Sequence, residues 1–244
     1  MKGLLYKELV QNKAMLAVMG FACVFLSVAL GIFPFISDEA DVSDDTAFTM
    51  MIMMFVSILD YFILFCFQGN FIQADELKKW AYFITSTPET AEGQIRSKYF
   101  LIVLCDMAVL IWTYVFETIA NIFQGSQTGI ISVSALLFFL HLFLSAFDLP
   151  FMIRFGTKGG NMAHTITLLI LVAVAGIYFL FGDLSIFGTT DQFFDKIMKF
   201  LNGENSDGSI LILGLFVWAS AGCYYLSYKL SCRFYLKGVE YYAK

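Results

Sequence analysis

Four carboxylates, Asp60, Asp106, Glu117 and Asp148, stand inside stretches that are otherwise apolar. An acidic side chain in hydrocarbon costs roughly 3 kcal/mol or more unless it is neutral, hydrated or paired, so each must face protein or water. Such groups support a proton or cation relay or line a polar translocation path. Their structural counterpart is hydrogen bonding between helices or placement at the membrane interface. Asp60 lies near the middle of its stretch and Asp106 nearer one end, so these two are the candidate path residues. Glu117 and Asp148, the latter two residues before Pro150, lie near the ends of theirs.

Other chemistries lack their residues. No G-x-x-x-x-G-K-[ST] occurs, and Gly159-Gly160 has neither the Lys nor the Ser/Thr that would hold phosphate and magnesium. The histidines are His141 and His164, with no H-E-x-x-H, and no G-x-S-x-G presents a nucleophile. His141 reads as a helix-to-helix hydrogen-bonding group. Cys23, Cys66, Cys105, Cys223 and Cys232 fall in or beside apolar runs without a C-x-x-C, which indicates neither a disulfide framework nor a metal site. No catalytic residue and no resident cofactor are expected.

The elements that must position these carboxylates follow from composition. The chain is 59% hydrophobic and 14% charged, with a mean hydropathy of +0.75. That leaves too little polar surface to wrap a water-soluble globule, and the apolar excess must face lipid. A hydrocarbon core about 30 Å thick needs about 20 apolar residues of helix. Six stretches meet this: Ala14–Phe35, Phe48–Phe67, Tyr99–Ile119, Ile130–Ile153, Thr165–Phe181 and Ile210–Tyr228. Polar connections separate them, including Ser37–Asp45, Gly156–Asn161 and Gly203–Ser209. The first stretch is too long for a signal-peptide core and reads as a retained helix. The expected fold is an all-α integral membrane protein forming one transmembrane domain over 1–244.

Basic residues set the orientation, because Lys and Arg are retained on the cytoplasmic side. Lys2, Lys7 and Lys13 precede the first span. Lys78, Lys79, Arg96 and Lys98 lie between the second and third, Arg154 and Lys158 between the fourth and fifth, and Lys229, Arg233, Lys237 and Lys244 after the sixth. These segments and both termini are therefore expected in the cytoplasm, and the acid-rich alternate loops outside.

Three shorter elements stand beside the spans. Leu4, Leu5, Glu8 and Leu9 mix with Lys2, Lys7 and Lys13 at helical spacing, which suits an interfacial helix over 1–13. Between Phe67 and Tyr99, Ala74–Ile84 can form an amphipathic helix with Leu77, Trp80, Ala81 and Ile84 on one side. Ser86-Thr87-Pro88-Glu89 then reads as a second helix start. In the external 182–209 loop, Phe194, Ile197, Met198 and Leu201 share one face of a short helix over Asp191–Leu201. It would guide an amphipathic substrate or cover the external helix ends. Tyr99, Tyr224, Tyr225, Tyr228 and Tyr235 stand where interfacial aromatic belts are expected. Ser27-x-x-x-Gly31 and Ala219-Ser220-Ala221-Gly222 allow close approach of helices, within the chain or between two chains.

With its M-K-G-L-L-Y-K-E-L-V-Q-N-K start, its six spans, Trp80-x-Tyr82, Ser86-Thr87-Pro88 and Ile95-Arg96-Ser97-Lys98-Tyr99, the chain resembles the permease subunit of ABC-2 type exporters. Its size and composition resemble the small Gram-positive permeases of this group, including those that export phenol-soluble modulins. The resemblance implies a bacterial plasma-membrane protein that moves amphipathic peptides or other membrane-active compounds outward. It also implies a second permease chain, identical or homologous, and two copies of an ABC ATPase that bind ATP and Mg. Residues 74–98 would form the coupling region, with Leu77, Trp80, Tyr82, Ser86, Thr87 and Pro88 meeting the ATPase. Lipid is an expected partner and nucleic acid is not. The alternatives are a proton-coupled secondary transporter using Asp60 and Asp106, for which no inverted hydropathy repeat is found, and a non-transporting membrane subunit.

Overall fold

Polar residues in the long apolar helices recur at helical spacing, and this stripe decides which face turns inward. The computed structural model describes the backbone of residues 2–31, 42–76, 91–124, 130–181 and 206–242. All of it is helical apart from a turn at Asn12: α1 (Lys2–Gln11), α2 (Lys13–Gly31), α3 (Val42–Glu76), α4 (Ala91–Gln124), α5 (Ile130–Phe181) and α6 (Ser206–Tyr242). Among the described residues, four segments are long and apolar enough to span a bilayer: Lys13–Leu30, Ile52–Ile72, Glu92–Ile119 and Val133–Gly156.

On α3 the buried residues include Met53, Val56, Ser57, Asp60, Leu64, Gln68 and Phe71, a stripe repeating every three or four positions and widened by Tyr61, Phe65 and Ile72. The same spacing buries Tyr99, Ile102, Asp106, Val109, Thr113 and Glu117 on α4, and Ser134, Phe138, His141, Ser145, Leu149 and Met152 on α5. The opposite faces carry Phe55 and Phe62 on α3, Ile111 on α4 and Phe147 on α5, all exposed. In this inverted arrangement apolar bulk faces outward and the polar groups that need partners face inward, as a lipid solvent requires.

In the bundle α3 packs against α2, α4 and α5, α5 packs along α6, and α1 lies against α4. The apolar centre is built from Leu64 and Phe71 of α3, Leu101 and Ile102 of α4, and Leu149 of α5, all almost fully buried.

The helices outrun the expected spans. α3 continues through Glu76 and α4 begins at Ala91, so the proposed 74–98 region contains the ends of two long helices. Backbone hydrogen bonding propagates cheaply once a helix is nucleated, which carries it past the apolar boundary. Glu92 in the first turn of α4 also suits the positive end of the helix dipole. The expected connection Gly156–Asn161 contracts to a single break within α5, where Gly156 has φ 74° and ψ 176°. Only glycine adopts this backbone without strain. Gly159 belongs to the same break, because a Cβ there would lie 2.5 Å from Cβ of Phe155. A straight helix of 52 residues would be about 78 Å long, far more than the hydrocarbon thickness, so the chain must change direction at Gly156.

The expected helix over Ala74–Ile84 lies outside the described residues beyond Glu76. The expected helix over Asp191–Leu201 lies outside them entirely.

Candidate functional site

Two groups of polar side chains occupy the interior. The first lies along the inner stripes of α2 to α5. Asp60 of α3 receives the Ser27 hydroxyl of α2 at 3.4 Å, and the indole N–H of Trp112 on α4 donates to that same hydroxyl oxygen at 3.0 Å. Three helices thus meet at one serine. Ser27, Ser57, Asp60, Thr113 and Glu117 line a cavity of about 10 Å³, close to the minimum that holds one water. Oδ1 of Asp60 is buried there without a hydrogen-bond partner among the described residues.

Asp106 occupies a different junction. His141 Nδ1 of α5 approaches its Oδ1 at 2.7 Å, and both side chains are almost fully buried. The His141 ring lies edge-on to Phe65, with ring centroids 5.9 Å apart, and 6.3 Å from the ring of Tyr61. α3 therefore supplies the apolar wall of a pair made by α4 and α5. Further along the α3–α5 seam the Ser134 hydroxyl donates to Ser57 at 3.4 Å and the Ser145 hydroxyl to Gln68 Oε1 at 2.7 Å. Asp60 and Asp106 each approach a side chain on a neighbouring helix, and His141 of α5 lies against Asp106 of α4.

The second group lies at the end of the bundle where α3 stops and α4 starts. Glu8 of α1 is fully buried, and its Oε2 lies 3.6 Å from Lys98 Nζ of α4. Lys98 also donates to the Phe71 carbonyl of α3 at 2.8 Å. Lys7 approaches Glu8 at 3.4 Å, and the Asn12 amide donates to the Glu8 carbonyl at 2.9 Å, fixing the turn from α1 into α2. One lysine therefore joins α1, α3 and α4.

One residue on, Tyr99 shares hydrogen bonds with the hydroxyls of Ser227 and Ser231 on α6, at 2.8 and 2.7 Å. The Tyr224 hydroxyl donates to the Tyr99 carbonyl at 2.8 Å, and Tyr235 donates to Gln94 Oε1 at 3.2 Å. Arg154 of α5 stacks on Phe234 of α6, 4.8 Å from its ring centroid. Lys98, next to Tyr99, and Arg154 thus stand at the same end of the bundle, beside neighbouring turns of α6.

Sequence reasoning missed this second group. Glu8 reads as the polar face of an interfacial helix and Tyr99 as a belt residue, yet both are buried. The available signal was a cation and a phenol placed side by side, Lys98-Tyr99, at the boundary of an apolar run. Of the predicted coupling residues, Leu77, Trp80, Tyr82, Ser86, Thr87 and Pro88 lie outside the described residues, as do Phe194, Ile197, Met198 and Leu201. The knot of Glu8, Lys98 and Phe71 sits at the two helices that flank residues 77–90.

Long apolar helices with inward polar stripes define a multi-pass helical membrane protein. Residues 3–236 match the family described as ABC-2 family transporter protein, and the chain belongs to that family. Its members are the membrane components of ABC transporters, not ATPases themselves, and they work with an ABC ATPase partner. No curated protein and no solved structure matches the chain.

Proposed function

We propose that this chain is the permease subunit of an ATP-driven exporter of the bacterial plasma membrane, with six spans and both termini cytoplasmic. Two copies of an ABC ATPase and a second permease chain, identical or homologous, complete the transporter, and ATP and Mg belong to the ATPase. Residues 74–98, with Leu77, Trp80, Tyr82, Ser86, Thr87 and Pro88, are the contact to the ATPase. The substrate is an amphipathic peptide or another membrane-active compound, guided outside by Phe194, Ile197, Met198 and Leu201.

The observation that carries this reading is the joint made by Lys98. It ties α4, where the chain leaves residues 77–90, to the carbonyl of Phe71 near the end of α3 and to Glu8 of α1. A push on the coupling region is then delivered to α3, α4 and α1 together. α4 passes the movement to α6 through Tyr99, Ser227 and Ser231, and to α5 through Asp106 and His141. Buried, well-packed joints of this kind move as units.

The test is detergent co-purification with ABC ATPases of the same organism, followed by ATP hydrolysis and transport with wild type and with Trp80→Ala/Tyr82→Ala. The expected result is a stable complex in which the double variant hydrolyses ATP without transport. Unchanged transport would overturn the assignment of residues 74–98, and failure to bind any ABC ATPase would overturn the permease reading.

A further inference from the structure

Beyond the polar interior, the α5–α6 seam holds a cavity of about 390 Å³ that the permease reading does not use. Its walls are Phe147 and Phe151 on α5 and Leu226 and Leu230 on α6, each 45–62% exposed, so it opens sideways along the bundle. We propose that this groove binds an anionic phospholipid of the cytoplasmic leaflet, with one acyl chain along the seam and the phosphate on Arg154.

Length supports a lipid. Residues 146–155 of α5 and 223–234 of α6 line the groove, which at 1.5 Å per residue makes it about 14–17 Å long. This is close to half of the roughly 30 Å hydrocarbon core, the depth of one leaflet. A small polar ligand would leave most of that apolar length unfilled.

Charge selects the headgroup. Arg154 is the charged residue among those lining the groove, and it stands at one end of it, beside Phe155 and Phe234. Its guanidinium is held between two rings, 5.1 Å from the centroid of Phe155 and 4.8 Å from that of Phe234. These cation–π contacts fix the group at the groove mouth while leaving its N–H fork available, and that fork matches phosphate oxygens. Lys229 and Arg233, both exposed on the same turns of α6, add to the positive potential there. A zwitterionic headgroup offers the same phosphate but brings its own cation, so the site prefers a net negative lipid.

The groove wall is shaped by sequence features that packing alone would not select. Pro150 lines the groove and lacks a backbone N–H, so the Ala146 carbonyl, also at the groove, loses its ordinary helical donor. Two residues beyond Arg154, Gly156 ends the straight run of α5.

The test is native mass spectrometry of the purified full chain, offered equimolar phosphatidylglycerol and phosphatidylcholine of equal chain length. Wild type should retain about fivefold more phosphatidylglycerol, the factor expected of one basic residue at an anionic surface. Arg154→Gln should bring the two lipids to equal occupancy, and Arg154→Lys should keep most of the preference. Cys223→Trp, which fills the groove from α6, should lower the occupancy of both, and unaltered helical circular dichroism shows that each variant folds. An unchanged lipid ratio in Arg154→Gln, full lipid occupancy in folded Cys223→Trp, or a dimer that excludes lipid from this face would each overturn the proposal. None of these outcomes depends on an ATPase partner.

Discussion

The pair of Asp106 and His141 and the knot of Glu8, Lys98 and Phe71 are both buried ionisable sites, yet they are built differently. At the first, one carboxylate meets one imidazole, with Tyr61 and Phe65 as walls. At the second, Lys98 donates to a backbone carbonyl and lies within ion-pair distance of a carboxylate, and Lys7 lies beside the same carboxylate. A single pair fixes two helices firmly and has nothing to replace a lost partner. A shared lysine can lose one contact and keep the other, which suits a joint that must transmit movement and survive it.

Breaking the single pair should therefore have the largest effect. His141→Ala leaves Asp106 buried without its partner and should cost about 3 kcal/mol, measured by unfolding of the purified chain in detergent. Asp106→Leu/His141→Phe should recover most of that loss, because an apolar replacement of both partners leaves no buried polar group without a partner. If the double variant is as unstable as the single one, the pair contributes more than packing. Glu8→Gln should cost less, about 1–2 kcal/mol, because Lys98 keeps the Phe71 carbonyl. Its clearest sign should be faster hydrogen exchange confined to α1. Equal loss of protection in α3 and α4 would show that the knot fails as a whole.

Gly156→Ala sharpens the contrast from outside both sites. A Cβ at this positive φ with extended ψ, a region open essentially to glycine alone, should cost about 1–2 kcal/mol, with no change in α1 exchange. The smallest effect is expected of Ser27→Ala, about 0.6 kcal/mol, typical of a hydrogen bond between membrane helices. A much larger loss would mean that Asp60 depends on that hydroxyl as Asp106 depends on His141.

The inward faces were legible wherever a polar residue marked them. Asp60, Asp106 and His141 could be placed inside from cost alone, and the stripes on α3 and α4 follow from their positions. Apolar residues carried no such mark, since Phe55 and Phe71 have the same composition and opposite burial. The partner of each polar group was hidden for a related reason. Ser27 and Trp112 come to Asp60 from two other helices, and no local spacing encodes how three helices rotate against one another. The break at Gly156 was readable as a glycine-bearing connection, but its contraction to one residue depends on backbone torsions that the residue type permits without requiring.

The burial of Glu8 against Lys98 also imposes an order on synthesis. About ninety residues separate the two, so at roughly 5–20 residues per second α1 leaves the ribosome about 5–20 s before Lys98 exists, with Lys7 as the cation then at hand. During that interval Glu8 must stay in contact with water or lipid headgroups, and α1 can only rest on the membrane surface. It takes its final place after α4 has entered the bilayer, so α1 is made well before it is seated.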